Sequence, residues 1–160
     1  MKEKFNVIVD FSMFPFCFRN AECGDYNNKL KDEKEFFEKF KNLFEVLIPH
    51  ISSNTFDVLM GERMHCHPIK PEDDDKIKLI YNIVGILALK WKPGINVEQF
   101  LMQNLDGEKI WQLGNNSTRL IGIRKENFFH VLFIDYHHLI YPSIKYNDKN
   151  FKKYKFEVVK

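Results

Sequence analysis

The sequence predicts an α+β fold, with an N-terminal strand and about three helices packed on a C-terminal antiparallel sheet of about four strands. Two changes along the chain carry that expectation. Between residues 30 and 105 apolar side chains recur every three or four positions, the period of a helix; from Asp106 onward the period falls to two, the period of a strand. The strand-like runs are joined by "GNNS", "KEN" and "YH", links short enough for hairpins.

The first element is "FNVIVDF", which places Phe5, Val7, Val9 and Phe11 on one side of a strand. "SMFPFCFRNAECGDYNN" follows, broken by Pro15 and Gly24, and reads as irregular chain or a short edge strand. A helix is predicted over residues 32–48: Asp32 caps it, Glu33 and Glu35 suit its positive end, and Phe36, Phe40, Leu43, Phe44 and Leu47 form one apolar face. Pro49 is expected to end it.

"SSNTFDVLMGERMHCHPI" reads as a helical turn and then an extended piece. "KPEDDDKIKLIYNIVGILAL" is a second helix, with Pro71 in its first turn and a buried stripe of Ile77, Ile80, Val84 and Leu87. Its acidic run, Glu72 to Asp75, is explained by the helix dipole and is not taken as a metal site. "NVEQFLMQNL" is a third helix capped by Asn96. Strands are expected at 109–113, 118–124, 128–135 and 138–141, with the doubly apolar "FFHVLFI" as the central one. The organisation is one domain over residues 1–160: a helical region at about 30–105, an antiparallel meander at about 108–142 and a basic tail at 143–160.

Composition narrows the class. With 44% hydrophobic and 29% charged residues the chain resembles a soluble globular protein, and 16 phenylalanines supply a ring-rich core that needs no disulfides. Cys17, Cys23 and Cys66 cannot all pair and lack C-x-x-C spacing, which points to a reduced, cytoplasmic setting. No apolar window is long enough to span a membrane, and "MKEKFNVIVDF" is not a signal peptide, so no membrane association is expected. Net charge is only +2, yet nine Lys/Arg face four Asp/Glu from Arg119 to the end, against 15 and 18 before it. That asymmetry can gather a polyanion at the sheet, or can be a solvated lysine-rich tail. The abundance of Lys, Asn, Ile and Phe points to an AT-rich genome.

Chemistry is most concentrated in "RLIGIRKENFFHVLFIDYHHLIYP". Arg119, Ile121 and Ile123 share one strand face, Leu120, Gly122 and Arg124 the other, and His130 and Asp135 fall on opposite faces unless a bulge intervenes. His137 and His138 point oppositely, and Tyr141 shares a face with His137. Arginine can stabilise charge on a phosphate while His or Tyr acts as general acid or base, so Arg119, His137, His138 and Tyr141 are the catalytic candidates. Arg124, His65, His67 and Asp135 are binding candidates. His65 and His67, two apart, would share a strand face as metal ligands do, but two ligands are not a site and no metal or other cofactor is predicted. Each residue also has a structural alternative: wet-edge packing for the His and Tyr rings, a turn acceptor for Asp135, and a partner for Arg119 in residues 72–75.

The run from "WQL" through "TRLIGIRKENFFHVLFIDYHHLIYP" resembles the C-terminal sheet of the RelE/ParE-like toxins of bacterial toxin–antitoxin systems. That resemblance implies a ribosome-dependent mRNA endonuclease, with Arg119, His138 and Tyr141 in its site and Arg124 as a phosphate contact. It implies RNA or the ribosome as partner and a protein antitoxin as inhibitor; no DNA partner is predicted. A competing expectation is a non-enzymatic phage or mobile-element protein that binds a host protein through exposed aromatics of "SMFPFCF". A third is a metal-dependent hydrolase built on His65, His67 and a sheet histidine.

Overall fold

The computed structural model describes residues 4–61, 65–115, 118–142 and 151–160. Its elements are, in chain order, β1 (Ile8–Asp10), β2 (Glu22–Cys23), β3 (Tyr26–Asn27), α1 (Glu33–Asn42), α2 (Ile48–Ser52), α3 (Phe56–Gly61), β4 (His67–Pro68), α4 (Asp74–Trp91), α5 (Val97–Asn104), β5 (Ile110–Asn115), β6 (Thr118–Lys125) and β7 (Phe128–Asp135). The fold is α+β, as expected. Five strands form one sheet in the order β1-β7-β6-β5-β4, and β2 and β3 form a separate two-stranded ribbon.

The meander β5–β6–β7 is antiparallel throughout. The sheet's outer strands come from elsewhere: β4 pairs antiparallel with β5, while β1 pairs parallel with β7. The fourth meander strand expected at 138–141 does not form. Instead the chain turns at Tyr136–His137 and leaves the sheet, and β1 occupies the edge beside β7. A backbone that has already filled the β7 edge has no ladder partners left for residues 138–141.

Helices cover both faces. α4 packs Ile80, Val84 and Leu87 against Ile110, Ile121 and Ile123, and α5 adds the partly buried Phe100 and Leu101. On the other face Leu43, Leu47, Ile51 and Phe56 pack against Trp111, Leu120 and Val131. Every residue of β5 is buried as a result.

Asp32 caps α1 by accepting from the Glu35 N–H at 2.9 Å, and the Asn96 side chain caps α5 by accepting from Gln99 N–H at 3.0 Å. Pro49 does not stop the first helix. The chain widens into a π-helical stretch over Leu43–Leu47, closed by the Ile48 N–H on Leu43 O, and then continues as α2 with Pro49 in its first turn. The wider turn replaces the geometry in which a proline ring collides with the carbonyl four residues back. Pro71 lies before α4, which starts at Asp74, rather than in its first turn.

The "SMFPFCF" stretch is internal: Phe14, Phe16 and Cys17 are buried in the core, so it offers no exposed aromatic anchor. The tail expected at 143–160 falls partly outside the described residues, but its last ten residues are folded back on the body. Phe156 exchanges backbone hydrogen bonds with Leu30 at 2.9 Å each way, and Val158 N–H donates to Asn20 Oδ1 at 2.7 Å.

Candidate functional site: a histidine corner above a buried cation

A β-bulge decides which polar groups share a face. The register between β6 and β7 slips between Ile121 and Gly122, opposite Phe133 and Val131, leaving Leu132 as the extra residue. Leu132 and Phe133 therefore both pack on the α4 side, and beyond them Asp135 comes to the same side as His130. Arg119 is the direct cross-strand partner of Asp135. Both are out of solvent, Arg119 at 1% and Asp135 at 0% exposure.

Asp135 accepts from the Ile140 N–H at 3.0 Å. Burial pushes its carboxyl up, opposed by the N–H groups of Ile140, Leu139 and His137 and by Arg119. The turn 136–140 is thus wound around a carboxylate, the turn-acceptor role foreseen for Asp135. The Arg119 guanidinium donates to Asn115 O at 2.8 Å and Thr118 O at 3.0 Å, stitching the ends of β5 and β6. Burial lowers its pKa, and Asp135 works against that. Arg119 has no partnership with residues 72–75: Asp73 instead accepts from Tyr141 OH at 2.7 Å.

Around this buried pair the chain brings together His65, His67, His138 and Tyr141 from two distant segments. The His65 and His138 rings are 6.2 Å apart, and the His67 ring meets the Tyr141 ring edge-on at 5.5 Å. Burial first, then the Arg119 cation and the neighbouring histidines, hold His138 down at about 4. The same influences lower His65. Burial and then Asp73 raise Tyr141. A partly open corner lined by imidazoles over a buried cation favours an anionic oxygen and can donate or accept protons.

The depressed His138 makes stability depend on pH. An unfolded histidine titrates near 6.5, so between about pH 6.5 and 4 the unfolded chain binds the proton that the folded chain refuses. Its contribution is complete above pH ~6.5 and lost as pH falls toward 4, by on the order of 1–2 kcal/mol once solvent screening of a half-buried ring is allowed for. Urea unfolding of wild type and His138→Asn at pH 7 and pH 4.5 measures this. The wild type is expected to lose more stability; equal losses would remove the assignment.

Other sequence candidates do not join the corner. His137 is buried, bonds Lys29 O through Nε2 at 2.7 Å and stacks on Phe151 at 4.2 Å, fastening the C-terminal segment. Arg124 lies on the opposite face, with its guanidinium 4.1 Å from the Phe56 ring centre and its Nε donating to Glu126 O at 2.9 Å. Among the described residues no group of three His, Cys, Asp or Glu is placed to hold a metal ion.

Two features escaped sequence reasoning. Gln112, fully buried in β5, donates through Nε2 to His65 O at 3.2 Å and meets His67 Nε2 at 3.4 Å. A glutamine between Trp111 and Leu113 in a buried strand was the available signal. The second is Asp10, which bonds His130 Nδ1 at 2.6 Å across the parallel β1–β7 edge. Burial raises its carboxyl, but hydrogen bonds from Ser12, then His130 and Met13, outweigh that and lower Asp10 to about 2. Nothing in the spacing of residues 10 and 130 announces it.

A family model described as "Uncharacterised protein UU032" matches residues 12–160. A protein of Ureaplasma parvum serovar 3, named "Uncharacterized protein UU032", is 35% identical over 128 residues, which is 79% of this chain. The match covers 65% of that relative's length, just under two thirds. No solved structure matches the chain.

Proposed function

The chain belongs to the family described as uncharacterised protein UU032, and from its histidine corner we propose an RNA-cleaving protein that acts on phosphodiesters by general acid–base chemistry. The observation that carries the reading is the convergence of His65, His67, His138 and Tyr141 over the buried Arg119. A neutral imidazole can take a proton in this chemistry, and a cation held behind it supports charge growing on phosphate oxygens. The setting we propose is cytoplasmic, in keeping with three cysteines that form no disulfide among the described residues. The biological role we propose is that of an mRNA-cleaving toxin of a bacterial toxin–antitoxin or mobile-element system, with a protein antitoxin as its restraint. No helix among the described residues is long and apolar enough to cross a membrane.

The roles differ from those the resemblance implied. Arg119, at 1% exposure, acts from behind the site as a fixed charge and not by touching substrate. His138 and Tyr141 remain at the corner.

Induced expression of the wild type and His138→Asn tests this. Asparagine tolerates the positive φ of 56° found at residue 138 and cannot exchange protons near neutral pH. Growth arrest with mRNA fragmentation is expected for the wild type and not for the folded variant. Intact RNA in arrested or growing wild-type cells would remove the nuclease reading.

A second reading, a protein that binds without catalysis, is favoured by one observation. Phe5, Ile8 and Phe128 are exposed, and Ile8 and Phe128 are register partners across the β1–β7 pair. Such a cluster suits a protein partner.

A further inference from the structure

We infer that His65 and His138 are an acid–base couple that brackets the scissile phosphate of an RNA strand, while His67 only positions them. This rests on the RNA-cleaving reading above and assigns His65 a catalytic role in it.

His67 is excluded from proton transfer by its bonds. Gln112 Nε2 donates to a carbonyl, His65 O, which sets the orientation of its amide. The same amino group faces His67 Nε2 at 3.4 Å, so that nitrogen is an acceptor and the proton sits on Nδ1, directed to Pro68 O at 2.9 Å. Both His67 nitrogens are committed. Among the described residues neither the His65 nor the His138 ring has a hydrogen-bond partner, and the two stand 6.2 Å apart with planes inclined by 53°. Two imidazoles at that separation can each reach one oxygen across a phosphorus atom, given hydrogen bonds of about 3 Å.

The backbone singles out the same pair. Three non-glycine residues have positive φ among the described residues: His65, Glu126 and His138. Glu126 sits in the tight turn between β6 and β7, which calls for that conformation. The other two are the couple, each in an unfavourable conformation that the surrounding packing enforces.

In the step that follows, one neutral imidazole takes the proton of the ribose 2′-OH. O2′ forms a bond to phosphorus, the P–O5′ bond breaks, and the second imidazole, entering protonated, delivers its proton to O5′. The products are a 2′,3′-cyclic phosphate and a 5′-OH end, with one proton passed between the rings and no oxidant or reductant consumed. His138, kept neutral by burial and by Arg119, is the base; the more exposed His65 is the acid. The groups that act on the pair are Arg119 and His67, Cys66 and Asp135 act in turn on Arg119, and Tyr141 is held by Asp73. An arriving phosphate is the counter-charge that lets His65 hold its proton.

The test uses the full chain, a short RNA oligonucleotide and the same oligonucleotide with a single 2′-deoxy residue at the cleaved position. The wild type should leave 2′,3′-cyclic phosphate ends, spare the 2′-deoxy position and show a bell-shaped rate profile with pH. His65→Asn and His138→Asn should each lower kcat about 10²–10⁴-fold, the first abolishing the alkaline fall of the profile and the second the acidic rise. Cleavage that ignores the 2′-deoxy substitution, or survives His65→Asn unchanged, overturns the couple and leaves the ribonuclease reading standing. Absence of RNA cleavage by the wild type overturns both.

Discussion

Gly122→Ala is expected to destabilise the chain by about 3–5 kcal/mol, more than most single methyl additions. Gly122 sits at the bulge between β6 and β7. A Cβ there would overlap the His130 carbonyl oxygen and lie 2.8 Å from Phe129 Cζ. The first obstacle is backbone, which cannot rotate aside, so the strands must part. In a chain of this size such a loss lowers Tm by about 10 °C. Gly61→Ala is the control, because a Cβ at that helical position meets nothing within 4 Å. It should be neutral or slightly stabilising. A Gly122→Ala protein melting beside the wild type would show that the bulge can open without loss.

The second large effect is at the buried pair. Asp135→Ala is expected to cost about 3–5 kcal/mol, since it strands the Arg119 charge in the interior. It also removes the acceptor for Ile140 N–H, around which the turn leading to His138 is wound. Asp135→Asn should cost less, because it retains an oxygen for that bond. The double variant Arg119→Ala/Asp135→Ala should lose less than the two single losses combined. Denaturant unfolding of the four proteins gives the coupling directly. Additive losses would mean that the two groups, though register partners, do not stabilise each other. The same reasoning makes Arg119→Ala a poor probe of catalysis, because a loss of activity would be inseparable from a loss of fold.

The helices and the three long strands were legible because they rest on local physics. Asp32 and Asn96 cap helices through hydrogen bonds to residues three positions away, and the apolar stripe of α4 is a periodicity inside one element. The β5–β6–β7 meander is a sequence of adjacent hairpins, so its pairing too is short-range. The error at Pro49 came from treating a helix as a single geometry, when one wider turn accommodates the proline.

The site was half legible. The run 119–141 was dense in polar groups, and His65, His67, His138 and Tyr141 do meet, but which of them face one another depends on an inserted residue, Leu132, that period-two counting cannot detect. Likewise Asp10 reaches His130 only because β1 returns to pair in parallel with β7, a contact spanning 120 positions.

By itself, then, the sequence determined the class of fold, its helices and meander, and the segments rich in chemistry, because these follow from interactions within a few residues of each other. Only the tertiary structure decided which groups are open to a substrate. It buried Arg119 and His137 and closed the β7 edge with β1. Burial is a property of what the rest of the chain packs against, and no local pattern encodes it.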